Sequence, residues 1–204
     1  MEIPVNTRVG SMTSPRQILL VLIASLALFG CASTQMAAIP DSQDLITPPL
    51  GKAVVVFMRP SFFASAIRSS VFDVSVEPPV LVGIVSAKKK VAYTTDLGAR
   101  RFMVIGESAD FMDATLLAGK TYYAYITPRM GWWKARFSLE PVAKAETEKE
   151  LTKDLASSSW VANTADSLEW AQTHLPSIQA KENEYLQPWL AKSERPTLNP
   201  DDGR

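Results

Sequence analysis

The thiol of Cys31 is the side chain in this sequence with the clearest potential for chemistry, and it is the only cysteine in the chain. It follows an apolar run, residues 18–29, that is interrupted only by Ser25. Cysteine is a strong nucleophile among protein side chains, so a cysteine at the end of such a run is suited to accept a covalent lipid. Its position predicts a modification site at the boundary of an apolar segment.

The apolar run predicts a secretory signal rather than a membrane-spanning helix. Twelve residues form about 18 Å of helix, whereas a spanning helix needs about 20 apolar residues. Arg8 and Arg16 precede the run as the positive region of a signal peptide. We therefore expect residues 1–30 to be a signal peptide. Translation starts at Met1 or at Met12, since either start leaves a complete signal.

Leu28, Phe29, Gly30 and Cys31 resemble the lipobox of bacterial lipoproteins, with Leu three places before Cys and a small residue just before it. The resemblance implies cleavage between Gly30 and Cys31, a diacylglycerol thioether on Cys31 and an acylated N-terminus. Two acyl chains already give stable membrane anchoring. Ala32 rather than Asp follows the cysteine, which implies the outer membrane, facing the periplasm. An unmodified cysteine after an ordinary secretory signal is the alternative.

No group of side chains in the sequence forms a recognisable catalytic or metal-binding motif. His174 is the only histidine, and no Gly-x-Ser-x-Gly turn accompanies it. A zinc site needs three or four ligands, which one histidine and an acylated cysteine do not supply. Glu107, Asp110 and Asp113 lack the EF-hand spacing and its glycine, so a solvated hairpin is expected there. We predict no catalytic residue, no metal site and no cofactor, and place His174 in solvent near a helix C-terminus.

The charge of the chain argues against a strong attraction to nucleic acid. The precursor holds 21 basic and 21 acidic residues, and removal of residues 1–30 leaves the remainder close to neutral. The basic cluster comprises residues 88–90 with Arg100 and Arg101. It is either a charged turn that protects sheet edges or a contact to anionic lipid headgroups. The sequence therefore predicts no nucleic-acid partner.

The part of the chain after the cysteine divides into a polar segment and a β-rich region. Residues 31–50 are polar, contain prolines and lack periodicity, which predicts a lipidated cysteine followed by a flexible tether. The continuous apolar run at 53–58 indicates a central strand, and residues 133–139 alternate between apolar and polar types. About eight strands in about 90 residues are typical of a sandwich or small barrel. We expect residues 51–142 to form an antiparallel β-sandwich, so the fold class is mainly β.

Five stretches of this region carry a resemblance to a known family. They are VVVFMRPSFF, LVG, the L-G-x-R-x-F pattern at 97–102, LLAGKTYYAYI and GWWKARFSLEPV. Together they are similar to the DUF2846 family of bacterial lipoprotein-type domains over residues 51–142. The resemblance implies a sandwich of the transthyretin-like or prealbumin-like type. The family has no established activity, so the resemblance implies no catalytic residue.

The composition changes again after the β-rich region. Residues 143–194 are predicted to form a C-terminal helical segment, and residues 195–204 a polar tail. The predicted helices carry an apolar stripe formed by Leu168, Ala171, Leu175, Ile178, Tyr185 and Trp189. Such a stripe must be buried, and helices commonly pack on sheets within one domain. We therefore expect these helices to cover one face of the β-domain.

Three positions predict where these helices begin and end. Asn163 or Thr164 can cap the first of them. Pro176 fits the first position of the next helix. Pro188 predicts a kink or an end near Gln187, since proline lacks the N–H that a helix interior uses.

These features predict a lipid-anchored cell-envelope protein with a non-enzymatic binding or structural role in the periplasm. Its partners would be the membrane, through Cys31, and an envelope protein or ligand. A binding surface is predicted at the face opposite the helices or at strand edges near Arg100, Trp132 and Lys134. The alternative is a cell-wall-directed hydrolase or carbohydrate-active accessory domain, which would require a cleft with convergent polar groups and perturbed pKa values.

Overall fold

A computed structural model describes residues 35–129, 136–145 and 148–204. Over these ranges the protein is mainly β, with helices near its C-terminus. The strands are β1 Met36–Ala38, β2 Ala53–Arg59, β3 Ser69–Asp73, β4 Val80–Val85, β5 Lys89–Thr95, β6 Gly98–Ile105, β7 Ala109–Leu116, β8 Thr121–Arg129, β9 Arg136–Pro141, β10 Ser159–Asn163 and β11 Thr197–Leu198. The helices are α1 Glu148–Ala156, α2 Ala165–Thr173 and α3 Leu175–Leu190, with 3-10 turns at Gln43–Ile46 and Pro200–Asp202. No helix within the described ranges has the length and apolarity to cross a membrane.

The strands form two sheets. The six-stranded sheet has the order β1-β10-β5-β2-β8-β9, and the five-stranded sheet has the order β11-β7-β6-β3-β4. Strand β2 is central, and all seven of its residues are buried. The continuous apolar run at 53–58 therefore has the role predicted for it, because a central strand with both faces covered needs no polar face.

Both sheets are mixed, whereas the sequence pattern predicted an antiparallel sandwich. Strand β2 pairs antiparallel with β5 and parallel with β8. Strand β10 pairs parallel with β5, and β11 pairs parallel with β7. Hydrophobic periodicity identifies a strand and its buried face but carries no information on the direction of its partner, so the parallel pairs were not predictable in this way.

The main core lies between the two sheets. Phe57 of β2 and Phe102 of β6 meet edge to face there, with ring centroids 5.0 Å apart. The outer face of the five-stranded sheet packs against α3, where the rings of Phe111 and Trp189 are 5.6 Å apart. The docking of the C-terminal helices on the β-domain is therefore confirmed, except that Leu168, predicted as part of the buried stripe, is 47% exposed.

The outer face of the six-stranded sheet is also covered. Leu151 of α1 and Trp160 of β10 pack there with Val56, together with the apolar residues of the segment around Leu45. The face opposite α3, where a partner-binding surface was predicted, is thus partly occupied by the chain itself.

Two of the three predicted helix boundaries are confirmed. The Thr164 side chain caps α2 by accepting a hydrogen bond from the Ser167 N–H at 3.3 Å. Pro176 lies in the first turn of α3. The helix nevertheless continues through Pro188 to Leu190. Burial of Trp189 against the sheet keeps this last turn helical despite the proline.

Residues 31–50 were predicted as a lipidated cysteine and flexible tether; residues 31–34 lie outside the described ranges, and residues 35–50 instead belong to the fold. Strand β1 pairs antiparallel with β10. The Thr121 hydroxyl donates to the Ile46 carbonyl at 2.5 Å. The physical reason is that Met36, Ile39 and Leu45 find apolar surface on the sheets, which composition alone does not reveal.

Residues 195–204, predicted as a polar tail, are also integrated. Leu198 of β11 is fully buried. The Arg204 N–H donates to the Thr121 carbonyl, and the Thr121 N–H donates to the Arg204 carbonyl, each at 2.9 Å. The short strand has only two residues, too few for its periodicity to be recognised.

Candidate functional site

Arg100, predicted to lie at an exposed strand edge, is instead tied into the fold. Its side chain is only 11% exposed and pairs with Asp73 at 3.8 Å and with Asp96 at 3.4 Å. The structure therefore does not offer the Arg100 guanidinium as a free contact point. The remaining predicted site residues lie outside the described ranges: Gly30, Cys31, Trp132 and Lys134.

The network around Arg100 neutralises a buried carboxylate. The Tyr93 hydroxyl donates to Asp73 Oδ2 at 3.1 Å, and the Ser75 N–H donates to Asp73 Oδ1 at 2.9 Å. Burial, and then the negative charge of Asp73, raise the pKa of Tyr93 above its usual value. Arg100 supplies the opposite charge. These are the contacts of a structural ion pair, because every charged group has a partner within the fold.

The residues considered for catalysis or metal binding do not converge. His174 is exposed at the C-terminal end of α2, as predicted, and its ring stacks on Trp170 with centroids 5.0 Å apart. Asp110 pairs with Lys192 at 3.1 Å, and Asp113 pairs with Arg101 at 2.7 Å. Among the described residues, no group of three or more His, Cys, Asp or Glu could hold a metal ion.

The basic cluster of the sequence is divided by the structure into internal and exposed members. Lys90 is buried, and its Nζ donates to the Leu155 carbonyl at 2.6 Å and lies 4.5 Å from the centre of the Trp160 ring. Burial lowers the Lys90 pKa from its usual value. Arg101 is paired with Asp113. Only part of this cluster is therefore available to a partner.

Arg59, at the end of β2, is a fully buried cation that was not predicted from the sequence. Its guanidinium donates to the carbonyl oxygens of Phe63, Ala64 and Ile67 at 2.8, 2.6 and 2.6 Å. The guanidinium carbon lies 4.7 Å from the centre of the Phe137 ring. Among the described residues no carboxylate pairs with it, and burial lowers its pKa from the usual value. The feature of the sequence that could have indicated its burial is its position directly after the apolar run at 53–58.

Residues 60–68, here called the aromatic loop, are the segment that Arg59 fixes. Phe62 and Phe63 are 71% and 52% exposed although they are large and apolar. Phe63 also borders a groove of about 400 Å³, together with Tyr125 and Asp154. The Tyr125 hydroxyl donates to Asp154 Oδ2 at 2.9 Å in this groove. The loop therefore presents aromatic side chains to solvent from a fixed backbone.

The end of the aromatic loop is joined to the first described residue of the chain. Arg68 donates through Nη1 to the Gln35 side-chain oxygen at 2.8 Å. Gln35, Arg68 and Lys89 line the same shallow cavity of about 170 Å³. We call Arg68, Lys88 and Lys89 the basic rim. Within the described part of the chain, no carboxylate lies at ion-pair distance from any of these three cations.

Comparisons with known protein families and with curated proteins identify no relative of this chain. A scan against protein-family models finds no match, and a search of curated proteins finds none either. The resemblance to the DUF2846 family therefore stays an expectation from the sequence.

Proposed function

We propose that this protein is a lipid-anchored component of the cell envelope with a non-enzymatic binding or structural role. The observation that carries the proposal is the sequence Leu28-Phe29-Gly30-Cys31 at the end of an apolar run of signal-peptide length. Acyl chains on Cys31 would hold residues 35–204 at the membrane, and Ala32 after the cysteine favours the outer membrane, facing the periplasm.

The contacts of the polar side chains support a binding or structural role over a catalytic one. Asp73 and Asp113, which a hydrolase could use as acids or bases, are engaged with arginines. The His174 ring nitrogen Nδ1 lies 2.8 Å from the Trp170 carbonyl oxygen, one helical turn earlier. The proposed fold is a sandwich related to transthyretin-like and DUF2846-type domains, with the mixed pairing described above.

The test is mass spectrometry of the mature N-terminus from membranes. We expect a first residue Cys31 that carries a diacylglycerol and an N-acyl chain. The variant Cys31→Ser should stay unprocessed and lose the lipid, because serine cannot form the thioether. Gly30→Ala is the matched control, since it keeps a small residue before the cysteine and should be processed normally. An unmodified Cys31 in the wild type would refute the anchor.

A further inference from the structure

The distance from the anchor position to the fold is short. Three residues separate Cys31 from Gln35, and a chain extends at most about 3.6 Å per residue, so their Cα atoms are at most about 14 Å apart. Strand β1 begins directly afterwards at Met36. With Cys31 acylated, which is the proposed function on which this inference rests, Gln35 stays within about 14 Å of the lipid headgroups.

Gln35 lies beside the basic rim and at the end of the aromatic loop. Arg68 is hydrogen-bonded to it, and Lys89 lines the same cavity. The short connection therefore brings unpaired cations close to the membrane. At this distance they act within about one to two Debye lengths of a charged surface at physiological salt.

We propose that the domain docks directly on the bilayer through this side. The basic rim binds the phosphate groups of anionic phospholipids, and Phe62 and Phe63 insert at the level of the headgroups. Arginine and lysine are the side chains that bind phosphate by charge-assisted hydrogen bonds. Exposed aromatic rings are favoured at the interface between lipid and water.

Arg59 makes the aromatic loop suited to this role. Its three hydrogen bonds to loop carbonyls hold the backbone at Phe63, Ala64 and Ile67. The exposed phenyl rings of Phe62 and Phe63 are consequently presented from an ordered loop. Little conformational entropy is then lost on insertion, which favours binding.

The two observations are independent and point to the same partner. A protein partner would account for the exposed aromatic rings, but it would not account for cations placed next to residue 35. An acidic surface close to the acylated terminus accounts for both. The bilayer is such a surface wherever it contains anionic lipid.

The experiment uses the complete lipidated protein in vesicles of phosphatidylethanolamine with about one-third phosphatidylglycerol. Because Cys31 is the only native cysteine and is acylated, an introduced cysteine is the single reactive thiol. We would label Phe62→Cys with an environment-sensitive dye and measure quenching by lipids that carry a nitroxide near the headgroup. Leu117→Cys is the matched control, because Leu117 is also exposed. It lies near Gly119, whose N–H donates to the Lys52 carbonyl just before β2 begins. Leu117 is therefore close to the start of β2, whereas the aromatic loop follows its end.

We expect strong quenching and a blue shift at position 62 and neither at position 117. The double variant Arg68→Glu with Lys89→Glu should lower the docked-to-free ratio by about 25-fold or more, since each of the two lost cations contributes roughly fivefold at an anionic surface. Lys149→Glu, an exposed position on α1, should leave it unchanged. Vesicles of phosphatidylcholine alone should behave like the double variant.

Three outcomes would overturn the inference, and they are distinguishable. If quenching is equal at positions 62 and 117, docking is refuted. If the dye is also confined to the introduced cysteine, Cys31 is still blocked and the lipid anchor is not in question. Quenching at 62 that survives charge reversal refutes recognition of anionic headgroups. Uptake of dye by Cys31 shows that the thiol is free, which refutes the proposed function and this inference with it.

Discussion

The guanidinium of Arg59 lies 4.7 Å from the centre of the Phe137 ring, inside the protein and without a carboxylate partner among the described residues. Three carbonyl oxygens and one aromatic face take the place of a counter-ion. A buried charge is costly unless hydrogen bonds compensate it, and here both terminal nitrogens of the guanidinium donate to carbonyl oxygens while Nε has no partner within the described ranges. The relationship therefore links the aromatic loop to strand β9, which carries Phe137.

Arg59→Met should destabilise the protein by about 3 kcal/mol, because methionine keeps the apolar stem and leaves the three loop carbonyls without their charged donor. The measurement is the free energy of unfolding from urea titrations. Arg68→Met is the matched control, since Arg68 is exposed and should cost less than about 1 kcal/mol. Limited proteolysis should cut residues 60–68 faster in the first variant only. Equal stability losses would contradict the role given to Arg59.

Phe137→Ala should lower the free energy of unfolding by about 3–5 kcal/mol, since Phe137 is buried between the sheets. Arg136→Ala, one residue earlier and exposed, should change it by no more than about 0.5 kcal/mol. Combining Phe137→Ala with Arg59→Met in a double-mutant cycle should reveal a coupling of about 1 kcal/mol. Strictly additive losses would show that the ring does not contribute to holding the cation.

Gly203→Ala should destabilise the protein by about 1–3 kcal/mol, because overpacking a filled site forces its neighbours to move. A Cβ at Gly203 would lie 2.8 Å from Lys120 Cβ and 2.8 Å from Tyr122 Cζ. Asp201→Ala is the control, being exposed two residues earlier. Thermal unfolding of both variants is sufficient to compare them. A neutral Gly203→Ala would argue that the C-terminal residues do not pack on β8.

Tyr93→Phe should weaken the alkaline loss of stability. Burial and the neighbouring Asp73 carboxylate raise the pKa of Tyr93 in the folded state, so the folded state favours the neutral phenol. This contribution is complete below the unfolded pKa of about 10 and is lost as pH rises above it. Urea titrations between about pH 8 and about pH 11 should show a steeper decline for the wild type than for Tyr93→Phe. Identical slopes would contradict the assignment.

The predictability of the fold from sequence depended on the length of each element. Residues 53–58 could be recognised as a central strand because six consecutive apolar residues leave no polar face. Strands β1 and β11 have three and two residues, and so short a stretch has no readable period. Their stability comes from partners distant in sequence, which local patterning does not encode.

The sequence indicated which residue types could contact a partner, but it did not indicate which of these residues are exposed in the fold. Arg100 and Lys90 are charged, and charged residues are mostly exposed, yet tertiary contacts bury Lys90 and leave only 11% of the Arg100 side chain exposed. Arg59 was overlooked for the same reason. Conversely, Phe62 and Phe63 are apolar and exposed. In each case the surroundings in the fold, rather than the residue type, decided the outcome.

The pairing of β1 with β10 has a consequence for the order in which this chain can fold. Gln35 and Thr164 are hydrogen-bonded across 129 positions of sequence, so β1 lacks the strand it pairs with, β10, until most of the polypeptide has been made. Closing so large a loop is entropically costly and slows folding. Strand β1 should therefore be among the last to acquire protection in pulse-labelled hydrogen exchange. Until then β10 presents an open edge to which other chains can add, and a chaperone that shields this edge would raise the refolding yield.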